Sequence, residues 1–262
     1  MAYTFISGAT GGLGKAFSIA CAENGYDLFV TGRSVGKLSA LKEEIVKVNG
    51  KVKVITFPCD LTSEKDRAAL IDSAVSNGVV FDRIINVAGV DTQMPFVEYT
   101  MEKLLFQLRV NAEATVALTY ELLKLKAEKT ELITISSMSG VTPMPYFALY
   151  SATKAMLTNL FTSLHYELKG SGVKVTTVLP GGIPTRPDLV QAIKEQGLWG
   201  KLSAKSPEYV AEKSLKAVKK NKIILVPGGF NKFLYCLMKI APKRIVLHFI
   251  EKRWKNLRKD AF

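Results

Sequence analysis

Short apolar runs alternate along the chain with longer stretches in which apolar residues recur every three or four positions. The runs at 2–6 (AYTFI), 27–31 (DLFVT) and 51–57 (KVKVITF) read as strands. Helical patterns follow them at about 13–24, 35–48 and 63–77. In the second of these, Leu38, Leu41, Ile45 and Val48 share one face of a 3.6-residue period. Thr62 or Ser63 is placed to cap the third. The runs at 83–89 (RIINVAG) and 131–136 (ELITIS) are continuously apolar, as in strands covered on both faces. Long helical patterns occupy about 100–127 and 148–169, and strands at 173–180 (VKVTTVLP) and 222–227 (KIILVP) bring the count to seven.

Strands separated this regularly by helices predict right-handed crossovers and an α/β, doubly wound, seven-stranded parallel sheet. No repeat, low-complexity tract or linker divides the chain, so a single catalytic domain over 1–228 is expected, with a helical extension over 229–262. In such sheets ligands sit beyond the carboxyl ends of the strands. Polar residues that follow strands are therefore the candidates for chemistry.

The 262 residues, 48% of them hydrophobic, suffice for one large domain. Cys21, Cys59 and Cys236 are too far apart to frame disulfides or a zinc site, which favours a reducing compartment. His165 and His248 read as surface or satisfied core residues, and they leave little material for a metal site or a histidine-based triad. Residues 2–6 read as a strand, not a signal peptide, and no apolar run is long enough to span a bilayer. A cytoplasmic protein is expected, with peripheral contact on the inner face of a membrane as the accompanying expectation. The net charge of +13 is concentrated near one end. Residues 201–262 hold 16 basic and 4 acidic side chains, against 20 and 19 in the preceding 200.

The stretch SGATGGLG, residues 7–14, closes the first strand and opens the first helix. Bare backbone at a helix N-terminus suits a pyrophosphate, so Gly8, Gly12 and Gly14 point to a dinucleotide. The second strand ends in Gly32, Arg33 and Ser34, where an NAD site usually carries an acid. A guanidinium suits the 2′-phosphate of NADP(H), and that cofactor is favoured over NAD(H); a solvated loop arginine is the plain alternative. Asp60 and Leu61 follow the third strand, where a carboxylate could accept from an adenine amino group. Asn86-Val87-Ala88-Gly89 closes the fourth, where small residues let the adenosine ribose pass.

Ser137 follows the fifth strand, and Tyr150 and Lys154 lie four residues apart on one helix face. A nearby ammonium favours a phenolate, so the pair is expected to lower the tyrosine pKa from near 10 and serve as an acid/base. Ser137 could hydrogen-bond the same substrate oxygen. Tyr146 lacks the lysine at that spacing.

SGATGGLG, NVAG, Asn111, the Ser137-Tyr150-Lys154 set and PGGIPT together resemble the short-chain dehydrogenase/reductase family over about residues 2–227. Ser7 stands where the family usually has Thr, and Val87 where it often has Asn. The resemblance implies a Rossmann-type fold and a set of roles, residue by residue. Ser7, Gly8, Thr10, Gly11, Gly12, Leu13 and Gly14 would cradle the cofactor, with Arg33, Ser34, Asp60, Leu61, Asn86, Ala88 and Gly89 around its adenosine half. Tyr150 would be the general acid/base and Lys154 would tune it and hold the nicotinamide ribose. Ser137 would orient the substrate oxygen and Asn111 would hold a water linking Lys154 to solvent. Pro180, Gly181, Ile183 and Thr185 would fix the nicotinamide. Hydride would pass directly between cofactor and substrate with no metal, and a homodimer or homotetramer is implied.

Residues 186–206 should form a lid carrying Leu189, Val190, Ile193, Leu198, Trp199 and Leu202. The lid either packs on the body or selects an apolar substrate such as a steroid, a long-chain ketone or a 3-oxoacyl thioester. Beyond it, 230–240 and 243–258 read as helices separated by Pro242, the second with Val246, Phe249, Ile250, Trp254 and Leu257 along one side. Lys243, Arg244, Lys252, Arg253, Lys255 and Arg258 surround that stripe, as in an interfacial helix on an anionic bilayer. Dimer packing is the alternative, and no aromatic-interleaved basic face points to nucleic acid. The leading expectation is an NADP(H)-dependent reductase or dehydrogenase. The alternative is a non-catalytic dinucleotide-binding or regulatory protein that docks through its tail.

Overall fold

Seven strands pair edge to edge in a computed structural model that describes residues 2–255. They are β1 (Ala2–Ser7), β2 (Leu28–Gly32), β3 (Val54–Pro58), β4 (Val80–Asn86), β5 (Lys126–Ile135), β6 (Val173–Val178) and β7 (Ile224–Leu225). The sheet order is β3-β2-β1-β4-β5-β6-β7 and every pairing is parallel. The order reverses between β1 and β4, and the crevice beyond their carboxyl ends is where such sheets bind ligands.

Helices cover both faces. On one side lie α1 (Gly12–Glu23), α2 (Val35–Val48) and α9 (Pro207–Lys219), which bury Phe17, Leu38, Ile45, Val210 and Val218 against Ile6, Val30 and Ile85. On the other lie α3 (Glu64–Ser76), α5 (Ala114–Lys124) and α6 (Ala148–Glu167), which bury Leu70, Leu122, Leu157 and Phe161 against Phe5, Ile84 and Leu132. Side chains cap several of these helices. Ser63 and Asp66 bond reciprocally at the start of α3, and Ser206 accepts from Tyr209 N ahead of Pro207 in α9. By contrast the residue before α1, Gly11, brings no side-chain cap, so the helix's first N–H groups face the crevice side unsheathed.

The long helical pattern at 100–127 is interrupted. It resolves into α4 (Met101–Leu108), a π-turn over Arg109–Glu113 and α5. The wider turn carries Asn111, whose amide bonds the backbone of Val90 on both sides. The chain then enters β5 at Lys126, five residues before the apolar run, because a register shift after Phe81 lets Lys126 pair with it. β3 begins three residues into its run, β4 lies three residues ahead of its run, and β7 is reduced to two residues.

After β6 the chain forms α7 (Pro187–Glu195) and α8 (Gly197–Ser203), and after β7 come α10 (Gly229–Ile240) and α11 (Lys243–Trp254). Both terminal helices pack back toward the carboxyl edge of the sheet. Asn231 donates to the carbonyls of Ser203 and Pro227 at 2.8 Å, and Ile250 is 7% exposed. Leu257 and Arg258 lie outside the described residues.

Phe5, Phe29 and Phe81 form an aromatic trio on three adjacent strands, with centroids 5.9–6.3 Å apart. Replacing Phe81, which is fully buried, with Ala should lower stability by about 3–5 kcal/mol. A lower urea midpoint at unchanged m value is the expected readout.

Candidate active site

One cavity of about 1000 Å³ runs along the carboxyl ends of β1 to β6. Its walls include Gly8, Thr10, Gly11, Gly12, Leu13 and Gly14 from the first turn, and Arg33, Asp60, Leu61, Ala88 and Gly89 from the next three strand ends. Ser137, Tyr150 and Lys154 line its middle, with Pro180, Gly181, Ile183 and Thr185 opposite. Residues spread over nearly the whole sequence thus meet in one space.

The glycine turn is shaped as much by the protein as by any ligand. Gly8 has φ +64°, and a Cβ there would stand 2.8 Å from the Ala88 Cα. A Cβ on Gly12 would stand 2.7 Å from the Thr185 Cβ, so only glycine lets the β6 loop close over the start of α1. The resulting groove of open backbone, with N–H groups at a helix N-terminus and Arg33 beyond, fits a dinucleotide pyrophosphate. Lys37, in the first turn of α2, also borders the cavity. Its position four residues from Arg33 was the available sequence signal.

Four of the expected residues do not reach the cavity wall. The Ser7 hydroxyl accepts from Val87 N and Ala88 N at 3.1 and 3.2 Å, which ties β1 to the β4 loop. Ser34 caps α2 by accepting from Lys37 N. Asn86 donates to Thr119 and Thr134 inside the core. The Asn111 side chain brackets Val90 and donates to Thr153 at 3.3 Å. Each joins elements behind the site. Asp60 does reach the wall, where its carboxylate accepts from the N–H and hydroxyl of Thr62.

At the centre, the Lys154 ammonium donates to the Ile135 carbonyl at 2.9 Å and is 3% exposed. Its nitrogen lies 5.7 Å from the centre of the Tyr150 ring. Burial lowers its pKa to about 8, with Asp91 acting in the opposite direction. The Tyr150 phenol behaves differently from the expectation drawn from the lysine spacing. Burial around the hydroxyl, and then the Asp91 charge, raise its pKa, while the hydrogen bond with Ser137 and the Arg186 charge pull it down. Desolvation dominates, and the Lys154 ammonium, which points at the β5 carbonyl, is not among the groups that pull the phenol down. Asp91 and Arg186, paired at 3.2 Å, carried no local motif that could have announced them.

The far end of the cavity is apolar and aromatic. Leu189, Ile193 and Trp199 come from the lid, and Leu234, Val246, Phe249, Ile250 and Trp254 from the terminal helices. Of the expected lid residues, Leu198 and Leu202 instead face outward. Phe147 stacks on Tyr150 at 4.3 Å, and Trp254 stacks on Phe147 at 6.3 Å.

A model of the short chain dehydrogenase family matches residues 2–196. The chain belongs to this family. Short-chain dehydrogenases are oxidoreductases that bind a nicotinamide dinucleotide, which agrees with the groove described above. The chain is similar to a very-long-chain 3-oxoacyl-CoA reductase-like protein of Arabidopsis thaliana, 29% identical over 223 residues. That match covers 82% of this chain and 70% of the relative. It is also similar to a very-long-chain 3-oxoacyl-CoA reductase of Pyricularia oryzae, 29% identical over 181 residues, and spans 55% of that protein. A solved 7β-hydroxysteroid dehydrogenase shares the fold at a TM-score of 0.87 and 23% identity, with 95% of this chain and 96% of that one covered. Among the described residues no helix is long and apolar enough to cross a membrane.

The depressed Lys154 pKa has a consequence for stability. The folded protein gives up this proton near pH 8, and the unfolded chain near 10.5, so native stability gains as pH rises between them. Lys154→Met removes the buried charge. Its stability relative to wild type should be most favourable below pH 8 and should lose about 3 kcal/mol of that advantage by pH 10.5. Urea unfolding of both proteins across this range is the check.

Proposed function

We propose that this short-chain dehydrogenase interconverts a ketone and a secondary alcohol on an apolar substrate, using NADP(H). The observation that carries the reading is the single cavity. It joins a glycine turn with Arg33 and Lys37 at one end to Ser137, Tyr150 and Lys154, and then to an apolar aromatic chamber. The chamber suits a long-chain 3-oxoacyl group or a steroid, the substrate types named for the relatives.

When bound, the cofactor supplies or accepts the hydride at the substrate carbon. The chain's own groups manage the oxygen. The Tyr150 phenol, held protonated at neutral pH by its burial, donates a proton to the carbonyl oxygen as charge grows there. Ser137, already bonded to that phenol, steadies the same oxygen. Lys154 stands behind Tyr150 with an ammonium that titrates near pH 8 and can return the proton. Asn111 acts from the π-turn by holding the Val90 backbone beside Gly89, where a Cβ would press on the Lys154 nitrogen at 3.2 Å. Arg33 favours the 2′-phosphate of NADP(H), with its guanidinium 6.0 Å above the Phe106 ring.

Turnover of a long-chain ketone with NADPH tests this. Tyr150→Phe should cut kcat by about 10²–10⁴-fold while NADPH still binds. Arg33→Asp should raise the KM for NADPH roughly ten- to a hundredfold with NADH nearly unaffected. Equal turnover by wild type and Tyr150→Phe would remove the proposed acid.

We further propose that the terminal helices rest on an anionic bilayer. Phe233 and Ile240 are 61% and 82% exposed, Ile245 and Phe249 are exposed beside them, and Lys232, Lys239, Lys243, Arg244, Lys252 and Lys255 surround them. This is the charge and apolar pattern of an interfacial surface. Replacing Lys243, Arg244, Lys252 and Lys255 with Ala should weaken co-sedimentation with phosphatidylserine vesicles by a hundredfold or more, at about 1 kcal/mol per cation. Wild-type binding should fall with added salt. Salt-independent binding would overturn the electrostatic part of this reading, and no binding by a protein that sediments as a dimer would assign this face to a second subunit.

A further inference from the structure

Five cations border the cavity among the described residues: Arg33, Lys37, Lys154, Arg186 and Arg253. The first two stand at the end of β2 and the start of α2. Lys154 is bonded to Ile135, and Arg186 is paired with Asp91. Arg253 alone has no place in the reading above, and no carboxylate among the described residues pairs with it. Lys252 on α11 and Lys255 just after it face solvent, whereas Arg253 is partly buried and faces the apolar chamber.

Its guanidinium is held in place by neutral groups. One nitrogen donates to Gln196 Oε1 at 3.3 Å, and the group lies 5.6 Å from the centre of the Trp199 ring. These contacts fix the planar fork and use one of its five N–H donors, leaving the rest for a ligand. Burial by the surrounding apolar walls disfavours the charged form. A neutral substrate filling the chamber would strip still more water from this cation and give nothing in return. An anion would satisfy it, and the fork suits a carboxylate or phosphate in two-point contact.

The position relative to the reacting centre sets the shape of that substrate. The Arg253 guanidinium lies by Gln196 and Trp199 of the lid, in the apolar part of the cavity, while its chain neighbour Trp254 is separated from the Tyr150 ring by Phe147. We propose that Arg253 anchors an anionic group at the end of the substrate remote from its carbonyl, so that the preferred substrate is an amphiphile: a keto group, an apolar body and a terminal anion. The proposal rests on the reading that Tyr150 marks the reacting end. It excludes small 2-keto acids, whose carboxylate adjoins the carbonyl. The anion could be a carboxylate or a phosphate of a thioester carrier.

The chain's two tryptophans, Trp199 and Trp254, both border the cavity and flank Arg253, so their fluorescence reports binding without turnover. Titrations would use one mid-chain keto fatty acid, its methyl ester and its coenzyme A thioester, with wild type, Arg253→Ala and Arg253→Lys. Wild type should bind the acid or the thioester roughly ten- to a hundredfold more tightly than the ester. Arg253→Ala should abolish that preference while leaving ester and NADPH affinities unchanged, and Arg253→Lys should keep part of it. An effect confined to the free acid assigns a carboxylate, and one confined to the thioester assigns a phosphate. Equal affinities in wild type overturn the proposal, as does an Arg253→Ala variant that weakens acid and ester alike. A preserved preference in a protein that turns over none of these ketones supports the anchor and counts against the oxidoreductase reading alone.

Discussion

A lysine buried at the carboxyl edge of a parallel sheet is the constraint around which this site is built. Removing an ammonium from water costs several kcal/mol even after the surroundings relax. The fold offsets that cost with the Ile135 carbonyl at 2.9 Å and with the nearby Asp91 charge. Placing Lys154 there dictates other residues. Gly140 must be glycine, since its Cβ would meet the Lys154 carbonyl carbon at 2.7 Å. Ser136 donates to the Lys154 carbonyl at 2.7 Å and locks that turn of α6 to the end of β5. Gly89 leaves room for the ammonium on the β4 side. The ends of β4 and β5 and the first turns of α6 are therefore fixed around one residue, and Tyr150 takes its position from the turn before it.

The same crowding decides how the phenol titrates. Spacing on a helix says that Tyr150 and Lys154 share a face, and a through-space cation should depress a phenol. The observed arrangement aims the ammonium at a backbone carbonyl and leaves the hydroxyl in poorly solvated surroundings beside a carboxylate. Desolvation then dominates, and the phenol stays protonated. A protonated phenol is the form that the proposed proton donation to a carbonyl oxygen requires, so its burial agrees with that proposal.

Much of this was legible in the sequence because the signals are local. Alternating apolar runs and helical periods gave the parallel sheet, and strand–glycine–helix order gave the first turn. What escaped was anything whose partner lies far along the chain. Ser7 and Asn86 look like ligand contacts in a motif, yet their partners sit 80 and 33 to 48 residues away inside the protein. Ser34 was the opposite case: its partner, Lys37, is three residues on and makes it a cap. The long helical pattern at 100–127 concealed a π-turn, since periodicity blurs a single inserted residue, and Asn111 depends on that turn. Asp91 and Arg186 meet from opposite sides of the cavity and carry no motif.

The terminal helix shows the limit of periodicity most clearly. Val246, Phe249, Ile250 and Trp254 form a stripe that fits a bilayer, a second subunit or the chain's own cavity equally well. In the folded chain the stripe divides. Ile250 and Trp254 turn inward toward the reacting centre, and Ile245 and Phe249 border the cavity while remaining exposed. The chamber is thus closed by residues whose outer surfaces would meet acyl chains if α10 and α11 rest on a bilayer. An amphiphile could then enter between them without crossing bulk water, where its apolar body is poorly soluble. Arg253 lies on the inner side of this boundary and Lys252 and Lys255 on the outer, so one helix would hold cations for two different anions. Those outside would face lipid headgroups, and the one inside would face the substrate. This division explains why the cationic residues of α11 are not all equivalent, although composition alone makes them look so.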